Sequence, residues 1–306
     1  MEPYLLILLG SSVDEFFQAD HWPMEGSYTD ALEKGRRAGG PPLNMGCVCA
    51  SKGANVKGLD YLSDTDDSSD FLIETLQSYG VDTSHVIKGD AVNGKVLIVN
   101  TAEKRTMFVI QPQRPYYAIG QKIKDLINNA TYIYTMMYII HRSFEDLDIL
   151  LQAKRNGTRF IFDGCGEYKE KWEADILYQL ADGLFINKED YAHLKQASCK
   201  DPKEILFENG CSFICITDGE NGAVCYTKEK DYIAQACKCE VIDSTGAGDS
   251  FAGTFVYGLL KEYPYERCLF LASVAGAYAT TALGGQAACV KEDVLIEFAE
   301  KQHYGG

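Results

Sequence analysis

Short unbroken apolar runs recur along this chain between segments of helical period, and that alternation leaves few folds open. "YLLILL" at 4–9, "YIYTMMYI" at 132–139, "RFIFD" at 159–163, "LFINK" at 184–188 and "FICIT" at 213–217 each read as a strand. "SFEDLDILLQAKRNG" at 143–157 reads as a helix stopped by glycine. So does "DFLIETLQSYG" at 70–80, with Phe71, Leu72, Thr75, Leu76 and Tyr79 along one side, and a further helix follows Asn187. Strands apolar on both faces must be covered on both faces. The expected fold is therefore α/β: a doubly wound, mostly parallel sheet flanked by helices. Two regions break the alternation. "KVLIVNTAEKRTMFVI" at 95–110 reads as a hairpin, and residues 13–37 are aromatic and charged with no helical period. Strands from about 12–38 and 92–112 are expected to form a small β lid on a single domain spanning 1–306.

Composition narrows the partners. The net charge of −15, with acids spread along 306 residues, argues against nucleic acid and anionic membranes. No apolar run approaches membrane-spanning length, and the opening residues lack a signal peptide's basic start, so a cytoplasmic location is expected. Eleven scattered cysteines, an odd number without paired spacing, suit reduced structural thiols. The five histidines stand apart from one another and suggest no metal site.

The chemistry concentrates in "VIDSTGAGDSF", residues 241–251. Val241 and Ile242 suit a strand end, while Phe251, Phe255, Leu259 and Tyr263 recur at helical spacing. The small residues Gly246, Ala247 and Gly248 then occupy a strand-to-helix turn, where backbone N–H groups lack partners and the helix dipole is positive. Such a turn is either a glycine bend capped by Asp249 or an anion hole with the Asp249 carboxylate beside it. A capping acid needs no run of tiny residues, which favours the anion hole. That pairing suits phosphoryl transfer: amides hold the moving charge while the acid takes a hydroxyl proton. An unperturbed aspartate, near pKa ~3.9, is a weak base, tolerable where the transition state asks mainly for positioning. Walker A, H-E-x-x-H and G-x-S-x-G motifs are all missing. Taken singly, Asn44 reads as a helix cap, Asp14 as a turn acid, and Arg105 as a solvated hairpin charge or a lid residue touching substrate. "DTDDSSD" at 64–70 reads as a solvated helix start rather than a calcium loop.

Residues "DSTGAGDSF" resemble the carboxyl-terminal signature of the ribokinase/PfkB family of carbohydrate and nucleoside kinases, and the resemblance runs through nearly the whole chain. "GSSVD" at 10–14 is similar to the family's first strand end, which implies that Asp14 binds sugar hydroxyls. "GGPPLN" at 39–44 resembles its Gly-Gly-x-x-x-Asn element, implying substrate roles for Gly39, Gly40 and Asn44. "NKED" at 187–190 resembles the Asn-x-x-Glu element near Mg²⁺ and the phosphates, placing Asn187 and Asp190 there. "TDGENG" at 217–222 resembles the nucleotide loop, with Thr217, Gly219, Glu220 and Gly222. "ASVAGAYATTALGG" at 272–285 resembles the late helix by the adenine, which adds Gly276 to the nucleotide contacts together with Thr245. Asp243, Thr245 and Gly284 fall at a monovalent-cation site, implying K⁺.

The implied activity is ATP-dependent phosphorylation of a hydroxyl on a small sugar, with Asp249 as base, Gly246–Gly248 as anion hole, and ATP and Mg²⁺ as cofactors. A nucleoside kinase of the same family and a catalytically silent sugar-binding protein are the alternatives. Relatives often pair through lid strands, and Phe16, Phe17, Trp22 and Tyr28 suit such a homodimer. Departures are informative. Asp190 stands where the family has Glu. Pro41 stands where members acting on phosphorylated sugars often carry Lys, which argues for an uncharged substrate. "FDGCGE" at 162–167 resembles an Asp-Pro-Asn-x-Arg segment, with Cys165 and Glu167 in place of Asn and Arg.

Overall fold

The computed structural model describes residues 2–102, 104–164 and 171–305. Cys165 and Glu167 lie outside the described residues. Eight strands form the main sheet, in the order Asp231–Ala234, Ala223–Thr227, Phe213–Thr217, Ala181–Asn187, Arg159–Asp163, Tyr132–Met136, Leu5–Leu8 and Val56–Leu59. The strands from Phe213–Thr217 to Val56–Leu59 are parallel, and the first two run antiparallel at the edge. Leu5 and Ile7 face one apolar core and Leu6 and Leu8 the other. This two-sided burial is why the opening run carries no polar alternation.

A second sheet has the order Ala31–Gly39, Ser12–Ala19, Gly94–Asn100 and Arg105–Ile110. Gly94–Asn100 and Arg105–Ile110 pair antiparallel as a hairpin. Segment 13–37, without readable period, contributes two strands; Ala31–Gly39 is mostly exposed on both faces, so no apolar alternation is required of it. The antiparallel pair Ala223–Thr227 and Asp231–Ala234 was not legible among the expected strands.

Two expectations are corrected. The run at 132–139 is a strand only to Met136; Met137–Ser143 is a helix whose Met137, Ile139 and Ile140 remain buried. A continuous apolar run does not distinguish the two states. Val241 and Ile242 form no strand and are 64% and 61% exposed. Backbone N–H groups of Ile242 and Asp243 donate instead to the Thr280 carbonyl, so the glycine turn is entered from a loop. The described cysteines are free thiols, mostly buried. Among the described residues, no helix is long and apolar enough to cross a membrane.

Candidate active site

The helix Ala247–Leu260 begins at Gly246, whose φ of 76° is left-handed. A Cβ there would also lie 2.5 Å from the Gly285 backbone, so both conformation and space require glycine. Residues 250–258 of this helix are buried, with Phe251 and Phe255 packed edge-on against Phe185 of the sheet at 6.1 and 5.3 Å between ring centres. The helix crosses Pro41–Ser51 closely: a Cβ on Gly253 would stand 2.6 Å from the Met45 carbonyl. That close crossing brings together two side chains 205 positions apart. Asn44 Nδ2 donates to Asp249 Oδ2 at 2.7 Å. Asn44 therefore lies within its helix, whose N-cap is Gly40, and does not serve as the cap. Gln286 Nε2 donates to Asn44 Oδ1 and to the Ala38 carbonyl at 2.9 Å, fixing the amide so that its N–H₂ faces the acid.

Asp249 is half-buried and borders the cleft. Burial, chiefly, then the nearby Asp163 charge, pushes its pKa up to about 7, against the pull of the Asn44 hydrogen bond and with a smaller push from Asp14. Asp14, on Ser12–Ala19, rises to about 6 through burial, opposed by the Ser12 hydroxyl and the Arg105 charge. Its carboxylate lies against Gly39, at the end of the neighbouring strand.

Two large cavities meet at this helix start. One, about 910 Å³, is bordered by Asp14, Gly40, Asn44, Thr245 and Asp249. The other, about 770 Å³, is bordered by Thr217, Gly219, Glu220 and Gly222, by Ala247 and Gly248, and by Gly276. The glycine turn thus forms the join between the two. Asp243, Thr245 and Gly284 also come together: Asp243 Oδ1 accepts from the Thr245 N–H and hydroxyl at 3.0 and 2.7 Å, and Oδ2 accepts from the Gly284 N–H at 3.1 Å. Burial alone would raise the Asp243 pKa, but these hydrogen bonds and Arg105 hold it below the usual range.

Asn187 and Asp190 border neither cavity. Asn187 caps the helix Lys188–Gln196, its side-chain Oδ1 accepting from the Asp190 N–H at 2.8 Å, and its Nδ2 donates to Asp190 Oδ2 at 2.6 Å. The Asp190 carboxylate, in the first turn of that helix, fits a Mg²⁺ that keeps most of its waters. Several residues of the site carried no sequence signal: Gln286; Asp163, which accepts from the Tyr134 hydroxyl at 2.8 Å; and Arg114 and Arg142, both bordering the larger cavity.

Comparison with known proteins decides the family. The pfkB family carbohydrate kinase model matches residues 6–293. The chain belongs to that family. It is a carbohydrate kinase, a phosphotransferase with ribokinase-like architecture. Aminoimidazole riboside kinase of Salmonella typhimurium is 25% identical over 278 residues, 85% of this chain and 87% of that protein. A 5-dehydro-2-deoxygluconokinase of Geobacillus kaustophilus is 25% identical over 281 residues, 84% and 82% of the two chains. The structure of Arabidopsis thaliana ribokinase with ribose and ATP matches with a TM-score of 0.83 at 18% identity, covering 97% of this chain and 99% of that one.

Proposed function

We propose that this pfkB-family kinase transfers the γ-phosphate of ATP to a hydroxyl of a small sugar, with Asp249 as general base and the N–H groups of Gly246, Ala247 and Gly248 as the anion hole; the Ala247 N–H, which meets the Ser244 carbonyl at 3.2 Å, would turn from it to the phosphate. The observation that carries this reading is the join: Asp249 borders one cavity and the adjoining Ala247 and Gly248 border the other. ATP would lie in the smaller cavity along Thr217–Gly222, its terminal phosphate at the positive end of the helix. The sugar would lie in the larger one, its hydroxyls donating to Asp14. The acceptor hydroxyl gives its proton to Asp249; its oxygen bonds to the γ-phosphorus as the bond to the β–γ bridging oxygen breaks, and ADP leaves. Asn187 and Asp190 would hold Mg²⁺ through water, and the ion supplies neutralisation of phosphate charge. The Asp243–Thr245–Gly284 cluster is the proposed K⁺ site.

A nucleoside kinase is the second reading, favoured by the size of the larger cavity. A panel of ribose, fructose, 5-dehydro-2-deoxygluconate and nucleosides, assayed by ADP release with and without K⁺, separates the two. Thermal shifts with no ADP from any compound would overturn both and leave a silent binding protein.

The raised Asp249 pKa makes a pH prediction. The base must be ionised to accept a proton, so kcat/KM is expected to fall as pH drops below about 7. Asp14 and Asp163 share the field, so this acid limb belongs to the cluster. Asn44→Ala removes the hydrogen bond that lowers the Asp249 pKa and should move the limb to higher pH; an unmoved limb would refute that role of Asn44.

The Arg105–Ile110 strand lies at the edge of the second sheet, with Met107, Phe108, Val109 and Ile110 exposed and Phe108 stacked on Trp22 at 5.8 Å. An apolar open edge is a template for pairing, and we read it as the face of a homodimer. Sedimentation should show a dimer that Phe108→Lys dissociates; a monomeric parent chain would refute it.

A further inference from the structure

The larger cavity is richer in cations than a neutral sugar requires. In a chain of net charge −15, Lys95, Arg105, Arg114 and Arg142 all border it. Three have evident employment. Lys95 meets Glu15 at 3.9 Å, Arg114 is neutralised by Asp60, and Arg105 donates to the Thr245 hydroxyl at 3.1 Å beside the phosphate turn. Arg142 differs. Among the described residues no carboxylate lies within ion-pair distance of it, and its hydrogen-bond partner is the neutral side-chain carbonyl of Gln111. Its guanidinium lies over the Tyr138 ring, 5.3 Å from the centroid, and the residue is half-buried.

Position separates this group from the nucleotide. Arg142 lies on the helix Met137–Ser143, which continues the strand Tyr132–Met136. That strand is three places along the sheet from Phe213–Thr217, roughly 14 Å at ~4.8 Å per strand. Met136, Met137 and Ile139 border the cavity beside it, weakening the screening of any charge there. Among the described residues this guanidinium has no counter-charge, and an oxyanion entering the cavity would supply one. Gln111 engages one N–H, and the rest of the planar fork matches two oxygens of a carboxylate or phosphate.

We propose that Arg142, held by Gln111 and Tyr138, binds an oxyanion carried by the substrate at the end remote from the acceptor hydroxyl, so the preferred substrate is an acidic sugar. This rests on the kinase reading of the cavity. It runs against the uncharged substrate expected from Pro41: the Gly-Gly element supplies no cation, and the charge comes instead from a helix that no motif marks.

Steady-state kinetics of the full chain on ribose and fructose, on gluconate and 5-dehydro-2-deoxygluconate, and on fructose 1-phosphate and fructose 6-phosphate test it. The highest kcat/KM is expected on an acid or a phosphate, and whichever group wins identifies the oxyanion. Arg142→Met should raise KM for that substrate about 100-fold, Arg142→Lys should restore part of the loss, and ribose should be far less affected. A neutral sugar as best substrate, or an equal loss on every compound, overturns the proposal and leaves the kinase reading intact. Calorimetry on Asp249→Asn makes the two failures distinguishable. Anionic sugars that bind there, and not when Arg142→Met is added, support the subsite even if nothing is phosphorylated by the parent chain. Failure of every anionic probe to bind overturns it.

Discussion

Asp249→Asn is expected to lower turnover about 1,000-fold, within the range lost with a general base, while fold and ATP binding persist. The amide is nearly the same shape, and Asn44 Nδ2 can still donate to its oxygen, so the crossing of the two helices is undisturbed. What disappears is the group able to take a proton. Calorimetric ATP binding at parental strength together with lost ADP release is the expected pair of results; near-parental phosphorylation would refute the base assignment. Stability should move the other way. Asp249 is protonated up to about pH 7 when folded and only to about 4 when unfolded. The folded state therefore holds more protons between those values, and stability falls as pH rises through that window. Removing the charge should leave Asp249→Asn at least as stable as the parent chain at pH 8, read by thermal melting.

Arg114→Met should destabilise the chain by about 3–5 kcal/mol, the usual consequence of leaving one half of a buried pair. The Arg114 and Asp60 side chains are 5% and 1% exposed. Burial would lower the Arg114 pKa, but the Asp60 carboxylate beside it, helped by Tyr117, holds it above the ordinary value. Arg114 also donates to the Ser143 hydroxyl at 3.2 Å, while Asp60 accepts from the N–H groups of Ser11 and Tyr61 at 3.2 and 2.9 Å. The pair thus ties the turn after the first strand, which borders the larger cavity, to the helix Met137–Ser143 that carries Arg142. Urea unfolding measures the loss. A double replacement by apolar residues should recover part of it, because no uncompensated charge then remains; a single variant as stable as the parent would refute the argument.

Parts of the site differed sharply in how readable they were. Gly246, Ala247, Gly248 and Asp249 are adjacent, and a left-handed turn opening a helix demands glycine wherever it occurs, so the local letters disclose the local geometry. The loop at 217–222 was marked only by its resemblance to a family motif; in the structure Gly219 and Gly222 take left-handed φ of 52° and 91°. Gln286 was not. It reaches Asn44 across 242 positions, and a glutamine in a polar loop looks the same with or without that partner. Arg142 lies three residues past the apolar run at 132–139 expected to be strand, on a helix that the run did not announce, so nothing in the pattern marked its charge. Val241 and Ile242 misled in the opposite direction, since β-branched residues suit a strand yet are tolerated in an exposed loop.

Periodicity and turn chemistry, both short-range, were enough to specify a parallel sheet between helices with a small-residue turn before an acid. The pKa of that acid, the amide that orients it, the joining of two cavities at its helix and the guanidinium beside Gln111 that borders one of them emerged from folding alone. Desolvation and Coulomb forces act through space, and the distances that set them follow from which helices cross and which strands neighbour one another.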